Sequence, residues 1–148
     1  MRDTKRSRRW VPSAPRAETY NQLKARHMND VAVSWLSSKM PRKLVGPIVI
    51  GAVWCEADRH RDKDNVRAGG MKIILDALAM ANVIPNDGNQ IVDYFAGDKY
   101  EYGTGRVGVV LRVLDLGTNV ADEWFFPHRL PSWNELHKAE GRGVRRGG

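Results

Sequence analysis

The sequence predicts an α+β fold: a single small domain in which a mixed, few-stranded sheet is packed by two main helices. The length of 148 residues suffices for one domain with a hydrophobic core and hardly for two. Two stretches place apolar residues at helical spacing, and several short β-prone runs separate or follow them. We find no internal repeat that would indicate a solenoid.

The first predicted helix runs from Glu18 to about Ser38. Its apolar residues recur near the 3.6-residue period, and they include Tyr20, Leu23, Val31 and Trp35. Proline and glycine in 39–47 end this helix. Residues 48–55 form a continuous β-prone run, which predicts a buried strand.

The second predicted helix covers Asn65 to Ala81. Its apolar stripe consists of Met71, Ile74, Leu75 and Leu78, and either Asp64 or Asn65 is in position to cap it. The glycine pair at 69–70 costs such a helix about 1–2 kcal/mol in propensity. Either the first turns are irregular, or something large approaches the backbone there.

The remaining elements are short. A turn at 84–90 precedes a strand at 90–94, and a strand at 105–114 leads through a loop at 115–122 to a further short strand at 123–127. The single cysteine excludes an internal disulfide and a cysteine-based zinc site.

The net charge of +7 is concentrated at the two ends of the chain. Residues 1–16 and 137–148 predict a basic flexible arm and a basic Gly/Arg-rich tail on a nearly neutral domain at 17–136. Such arms contact nucleic acid phosphates, although they also serve only as solubility tails. No apolar run approaches the roughly 20 residues that span a bilayer, so we expect a soluble cytoplasmic protein without membrane contact.

The clearest candidate site is the pair Asp62 and Asp64, set among basic residues. In an extended segment these side chains point the same way and would bind one Mg²⁺ ion through carboxylate oxygens. Asp87 would join them if the turn after the second helix folds back. Helix capping and a tight turn explain the same residues equally simply. Lys72 would either hold a phosphate or extend to solvent from its apolar stretch.

Three segments resemble the RusA-like Holliday junction resolvases, a family common in phages and prophages. They are "RDKDN" (61–65), "MKIILDAL" (71–78) and "VIPNDGNQIVDY" (83–94). The resemblance implies a catalytic set of Asp62, Asp64, Asp87 and Lys72, in which the three acids bind Mg²⁺, with Mn²⁺ as a possible substitute. The DNA-binding cations would be Arg59, Arg61, Lys63, Arg67 and Lys72.

The order of the elements departs from the family pattern. The element that opens family members resembles residues 125–140 here, after the last matching strand. We therefore expect a circular permutant, unless this segment is a divergent extension with chance similarity. A permutant requires residues 123–127 to pair into the main sheet and the two basic tails to emerge side by side.

The resemblance implies a Mg²⁺-dependent endodeoxyribonuclease that resolves four-way DNA junctions as a homodimer, in the cytoplasm of a bacterial host and encoded by a phage or prophage. Two alternatives stay open. One is a branched-DNA-binding protein of this fold that does not cut, and the other is a nuclease acting on other branched nucleic acids.

Overall fold

The computed structural model describes residues 18–85, 91–94 and 98–145, and in 91–94 and 140–145 it describes the backbone alone. Its elements are α1 (Tyr20–Leu36), β1 (Ile48–Glu56), α2 (Lys63–Met80), β2 (Ile91–Tyr94), β3 (Lys99–Tyr102), β4 (Gly108–Asp115), β5 (Val120–Phe126) and α3 (Trp133–Arg145). The expected α+β class and single small domain are confirmed. The arm at 1–16 lies outside the described residues.

The sheet is mixed, and β1 lies in its interior. On one side β1 pairs antiparallel with β4, which pairs antiparallel with β5. On the other side β2 and β3 follow one another along β1, both parallel to it. The position of β3 as an edge strand matters for the site, because its side chains lie next to the loop that leaves β1.

The helices pack together against one face of this sheet. Alternate residues of β1 (Ile48, Ile50, Ala52 and Trp54) lie in one buried cluster with residues of α1 and α2. The alternation follows from the two-residue period of a strand. The start of α1 is fixed by a capping box, in which Thr19 and Gln22 satisfy each other's backbone N–H groups.

The glycine pair in α2 is explained by close packing, and the helix there is regular. A Cβ atom on Gly69 would lie 2.6 Å from the backbone nitrogen of Trp133, and one on Gly70 would lie 2.5 Å from the indole ring of Trp54. The first contact is with backbone, which cannot move aside as a flexible side chain would. Of the two explanations that the sequence left open, close approach to the backbone is therefore the correct one.

The carboxyl-terminal part of the chain belongs to the domain. β5 pairs along its length with β4, so residues 123–126 enter the main sheet as the permutation hypothesis requires. The expected tail from 137 begins inside α3, which runs to Arg145 and buries Ala139 completely. No helix among the described ranges is long and apolar enough to cross a membrane.

A buried acid holds the segment that precedes β1 to the end of β4. Asp115 is 5% exposed, and its carboxylate accepts hydrogen bonds from the backbone N–H groups of Val45 (2.7 Å), Gly46 (3.0 Å) and Gly117 (2.8 Å). Burial opposes ionisation of Asp115, but these backbone hydrogen bonds outweigh it and lower its pKa.

Candidate nucleic-acid interface

The acid pair lies at the amino-terminal end of α2. Asp62 is the N-cap, and one of its carboxylate oxygens accepts hydrogen bonds from the backbone N–H of Asn65 at 3.2 Å and from its side-chain amide at 3.0 Å. Asp64 is in the first turn and exposed. The helix already begins at Lys63, so the pair is not in the extended register expected from the sequence. The capping interpretation is correct, but the cap is Asp62 and not Asp64 or Asn65 as expected, because α2 begins two residues before Asn65.

Both acids lie at the amino-terminal end of α2, which is the positive end of the helix dipole. Asp64 has no hydrogen bond or ion pair with any other described side chain. Its charge acts on Tyr100 of β3, which places the first turn of α2 beside that strand. Asp64 is therefore available to a ligand from solvent.

Arg61, immediately before the acid pair, is a structural residue. Its guanidinium forms two hydrogen bonds with Glu56, at 2.8 and 2.6 Å, and one each with the carbonyl oxygen of Leu130 and the carboxylate of Glu135, both at 2.7 Å. The side chains of Arg61 and Glu56 are 12% and 10% exposed. Arg61 therefore joins the end of β1 to the start of α3, and its expected role in DNA binding stays a prediction.

Glu135 is the second acid of this network and fixes the start of α3. It accepts the backbone N–H of Ser132 at 2.8 Å and forms an ion pair with Arg129 at 2.7 Å. Burial alone would raise the pKa of Glu135, but the hydrogen bonds from Ser132, Arg129 and Arg61 lower it to about 2. The carboxylate is therefore charged throughout the neutral range.

Two cations next to the acid pair lie over tyrosine rings of β3. The guanidinium carbon of Arg59 is 4.2 Å from the ring centroid of Tyr102, and the ammonium of Lys63 is 5.6 Å from that of Tyr100. Both cations are exposed. The two tyrosines are two residues apart on a strand and so point to the same face. Burial, followed by the charge of Asp98, raises the pKa of Tyr100 to about 12, so its phenol stays neutral.

Asp98 is an acid that sequence reasoning missed. Its side chain is 4% exposed, and one oxygen accepts hydrogen bonds from the Arg67 guanidinium and, at 3.3 Å, from the Trp54 indole. Its other oxygen is buried without a hydrogen-bond partner among the described residues. Arg67, expected to bind DNA, is thus anchored to the sheet through Asp98 and is 35% exposed.

Lys72 is not brought to the acid pair. It follows Asp64 by eight residues of regular helix, which is roughly 12 Å along the axis. Its ammonium is 3.5 Å from the carboxylate of Asp76, which also binds Lys24 of α1 at 2.8 Å. Lys72 therefore belongs to the surface between α1 and α2.

A complete metal site is not visible in the part of the chain that the structure describes. Asp87 lies outside the described residues, and no three histidine, cysteine, aspartate or glutamate side chains within them are grouped to hold a metal ion. Asp62 and Asp64 supply the oxygen donors that Mg²⁺ prefers, and one or two carboxylates with water and phosphate complete its usual shell. The two described acids are compatible with such a site.

Two further features carried a weak signal in the sequence. The alternation in "KYEY" (99–102) indicates one strand face with two tyrosines. "PSWNE" (131–135) includes both Glu135 and Trp133, which is 40% exposed at the start of α3. No sequence pattern around Arg61 indicates that it pairs with Glu56 and Glu135, which lie 5 and 74 residues away in the chain.

Comparisons of the chain with protein-family models, with curated proteins and with solved structures find no match. The resemblance to the RusA-like resolvases therefore rests on the three quoted segments.

Proposed function

We propose that this protein is a divalent-metal-dependent endonuclease that cuts branched DNA, with the four-way junction as its expected substrate. One observation carries the proposal: the exposed carboxylates of Asp62 and Asp64 share a surface with Arg59 and Lys63, which lie over tyrosine rings. Acids that hold a cation, beside basic residues that attract a polyanion, suit a phosphodiester substrate.

In this proposal Asp62 and Asp64 hold the metal together with Asp87. A bound Mg²⁺ or Mn²⁺ ion supplies Lewis-acid stabilisation of the phosphate and lowers the pKa of a coordinated water. Hydrolysis joins the oxygen of water to phosphorus, breaks one ester P–O bond, and transfers a proton to the leaving oxygen. Arg59 and Lys63 bind the neighbouring phosphates, which sets affinity and salt dependence.

The remaining expected residues, Arg61, Arg67 and Lys72, do not bind the metal in this proposal. Arg61 holds the loop before Asp62 against β1 and α3, and Arg67 is oriented by Asp98. Lys72 contacts a phosphate farther along the DNA. Two matched cuts in a two-fold symmetric junction require two sites, so we propose a homodimer.

We also propose that the chain is a circularly permuted member of the RusA-like family. The pairing of β5 with β4 and the packing of α3 beside α1 support this order. The test is a reordered chain that joins residue 148 to residue 1 and opens the turn at 116–119. We expect it to unfold within a few degrees of the natural chain; a reordered chain that does not fold contradicts the permutation.

The decisive experiment for the function is cleavage of a labelled synthetic four-way junction in Mg²⁺, in Mn²⁺ and in EDTA. Asp64→Asn is compared with Asp30→Asn, the same chemical change at an exposed acid on α1. We expect paired nicks that require metal and fall at least about 100-fold in Asp64→Asn, with no change in Asp30→Asn. Equal cleavage by both variants would remove Asp64 from the site.

A non-cleaving branched-DNA-binding protein is the second candidate. The capping role of Asp62 and the distance of Lys72 from Asp64 favour it, because each leaves less catalytic machinery at the acid pair. Tight junction binding without nicks in either metal would establish this alternative. An absence of both binding and cutting would exclude branched DNA as the substrate.

A further inference from the structure

An open cleft adjoins the acid pair on the side of α3. It has a volume of about 310 Å³ and is lined by Asp64, Asn65, Ala68 and Trp133. This is near the lower end of the roughly 300–1,000 Å³ usual for small-ligand sites, so the cleft suits a small planar group. Its wall of one indole and one methyl group is apolar, and its rim toward Asp64 and Asn65 is polar.

The indole of Trp133 is held in place but left open to solvent. The backbone at 131–133 touches α2 at Gly69, and Ser132 and Glu135 satisfy each other's backbone N–H groups at the start of α3. The His137 ring packs edge-on against the indole with 4.2 Å between ring centroids. Trp133 is 40% exposed, its backbone is fixed at the start of α3, and its ring packs against His137, so the indole is preorganised for stacking.

Asp64 is the charged residue that lines the cleft, and basic residues adjoin it on the same surface. Lys63 precedes Asp64 at the first turn of α2, and Arg59 and the tyrosines of β3 continue the same surface. An aromatic surface beside solvent-facing cations is the usual arrangement for stacking the bases of single-stranded nucleic acid. Inside a continuous duplex each base is stacked and paired, so it enters a pocket only after extrusion, which costs least where pairing and stacking are interrupted, as at a branch point or a gap.

We propose that the Trp133 cleft binds an unpaired nucleobase of branched or gapped DNA, so that the phosphate of that nucleotide lies beside Asp64. This inference rests on the proposed nuclease function and names the substrate feature that the site selects. The base stacks on the indole while Lys63 binds a neighbouring phosphate. Selection of a branch point then follows from the lower cost of extruding a base there than inside a duplex.

The test uses the full chain in EDTA, where no cleavage occurs, with two DNA probes of one sequence. One probe carries 2-aminopurine in a three-nucleotide single-stranded gap, and the other carries it paired within a continuous duplex. The variants are Trp133→Ala, Trp133→Phe and Ala68→Leu. The last fills the cleft from the exposed face of α2 and leaves the indole in place. Thermal unfolding of each variant reports on its fold.

We expect the wild-type chain to quench 2-aminopurine in the gap but not in the duplex. Trp133→Ala and Ala68→Leu should lose the quench and bind gapped DNA about 5- to 150-fold more weakly, as removal of one stacked base predicts. Trp133→Phe should keep most of the affinity. Duplex binding should be the same in all four proteins.

Wild-type quenching and affinity in folded Trp133→Ala and Ala68→Leu would overturn the cleft assignment, and metal-dependent junction cleavage lost in Asp64→Asn would still support the proposed function. If the wild-type chain binds neither probe and does not cut the junction, the proposed function fails and the cleft assignment fails with it.

Discussion

Aspartates from neighbouring elements lie near both ends of β1, but the surroundings of these acids differ. At the start of β1, Asp115 is buried and three backbone N–H groups donate to its carboxylate. Beyond the end of β1, Asp62 and Asp64 are exposed; Asp62 caps α2 through one oxygen, and Asp64 has no described side-chain partner. A buried acid with satisfied oxygens holds the fold together, whereas exposed acids with unused oxygens remain available for a ligand.

The end of β1 near Asp62 and Asp64 also contains a buried ion pair, between Arg61 and Glu56. This pair stabilises the fold at that end. Removal of Arg61 by Arg61→Ala leaves the Glu56 carboxylate buried without its cation. We expect a loss of about 3–5 kcal/mol in the free energy of unfolding, measured by urea denaturation. The control Arg59→Ala, at an exposed cation, should change it by less than about 0.5 kcal/mol. A similar small effect for both would mean that the Arg61 network contributes no stability.

Neutralising the buried acid at the other end of β1 should have the next largest effect on stability. Asp115→Asn places an amide N–H₂ group against a backbone N–H donor and leaves that donor without an acceptor. We expect a loss of about 1–3 kcal/mol by the same measurement. A variant as stable as the natural chain would show that the hydrogen bonds of Asp115 do not stabilise the fold.

Acid pH should lower the free energy of unfolding through protonation of Glu135 at the start of α3. The pKa of Glu135 is lowered from 4.5 to about 2 in the folded protein, so its stabilisation is fully present above pH 4.5 and is lost as the pH falls toward 2. More than a third of the side chain is exposed, so we expect a contribution of only about 1 kcal/mol.

The thermal midpoint, followed from pH 6 to pH 2.5, measures this effect. Glu135→Gln should flatten the dependence but not abolish it, because Asp115 also has a lowered pKa and titrates in the acid range. An unchanged pH profile in Glu135→Gln would show that the carboxylate contributes nothing to stability.

The smallest effect on stability is expected at the exposed acids themselves. Asparagine caps a helix about as well as aspartate, so Asp62→Asn should change the free energy of unfolding by less than about 0.5 kcal/mol. Asp64→Asn should do the same, although both should abolish metal-dependent cleavage. A large loss of stability in either would make these acids structural, like Asp115.

Much of the fold follows from local patterns. The helical spacing before Ser38 and the run at 48–55 predicted α1 and β1 to within about two residues, and the strand at 123–127 overlaps β5. The strand β3 was missed, because four residues offer too little periodicity. α3 was missed because Gly141 and Gly143 indicate a flexible tail, while burial of Ala139 between helices is a tertiary effect.

The site was predictable only in part. The segment 59–64 marked a surface of acids and bases, and Arg59 and Lys63 face solvent there as expected. The sequence does not show which basic side chain forms ion pairs with buried acids, so the contacts of Arg61 with Glu56 and Glu135 were not predicted. Family spacing placed Lys72 with the acids, but a regular helix carries it away from them.

The contact at Gly69 has a consequence for how this protein can change over time. The distance from α2 to Trp133 is set by backbone atoms touching backbone atoms, not by the size of a side chain. Neighbouring residues that do not line the cleft can therefore be exchanged over many generations while the distance between these two backbones stays the same. The residue at position 69 cannot be exchanged in this way, because any side chain there would push the first turn of α3 off the helix beneath it.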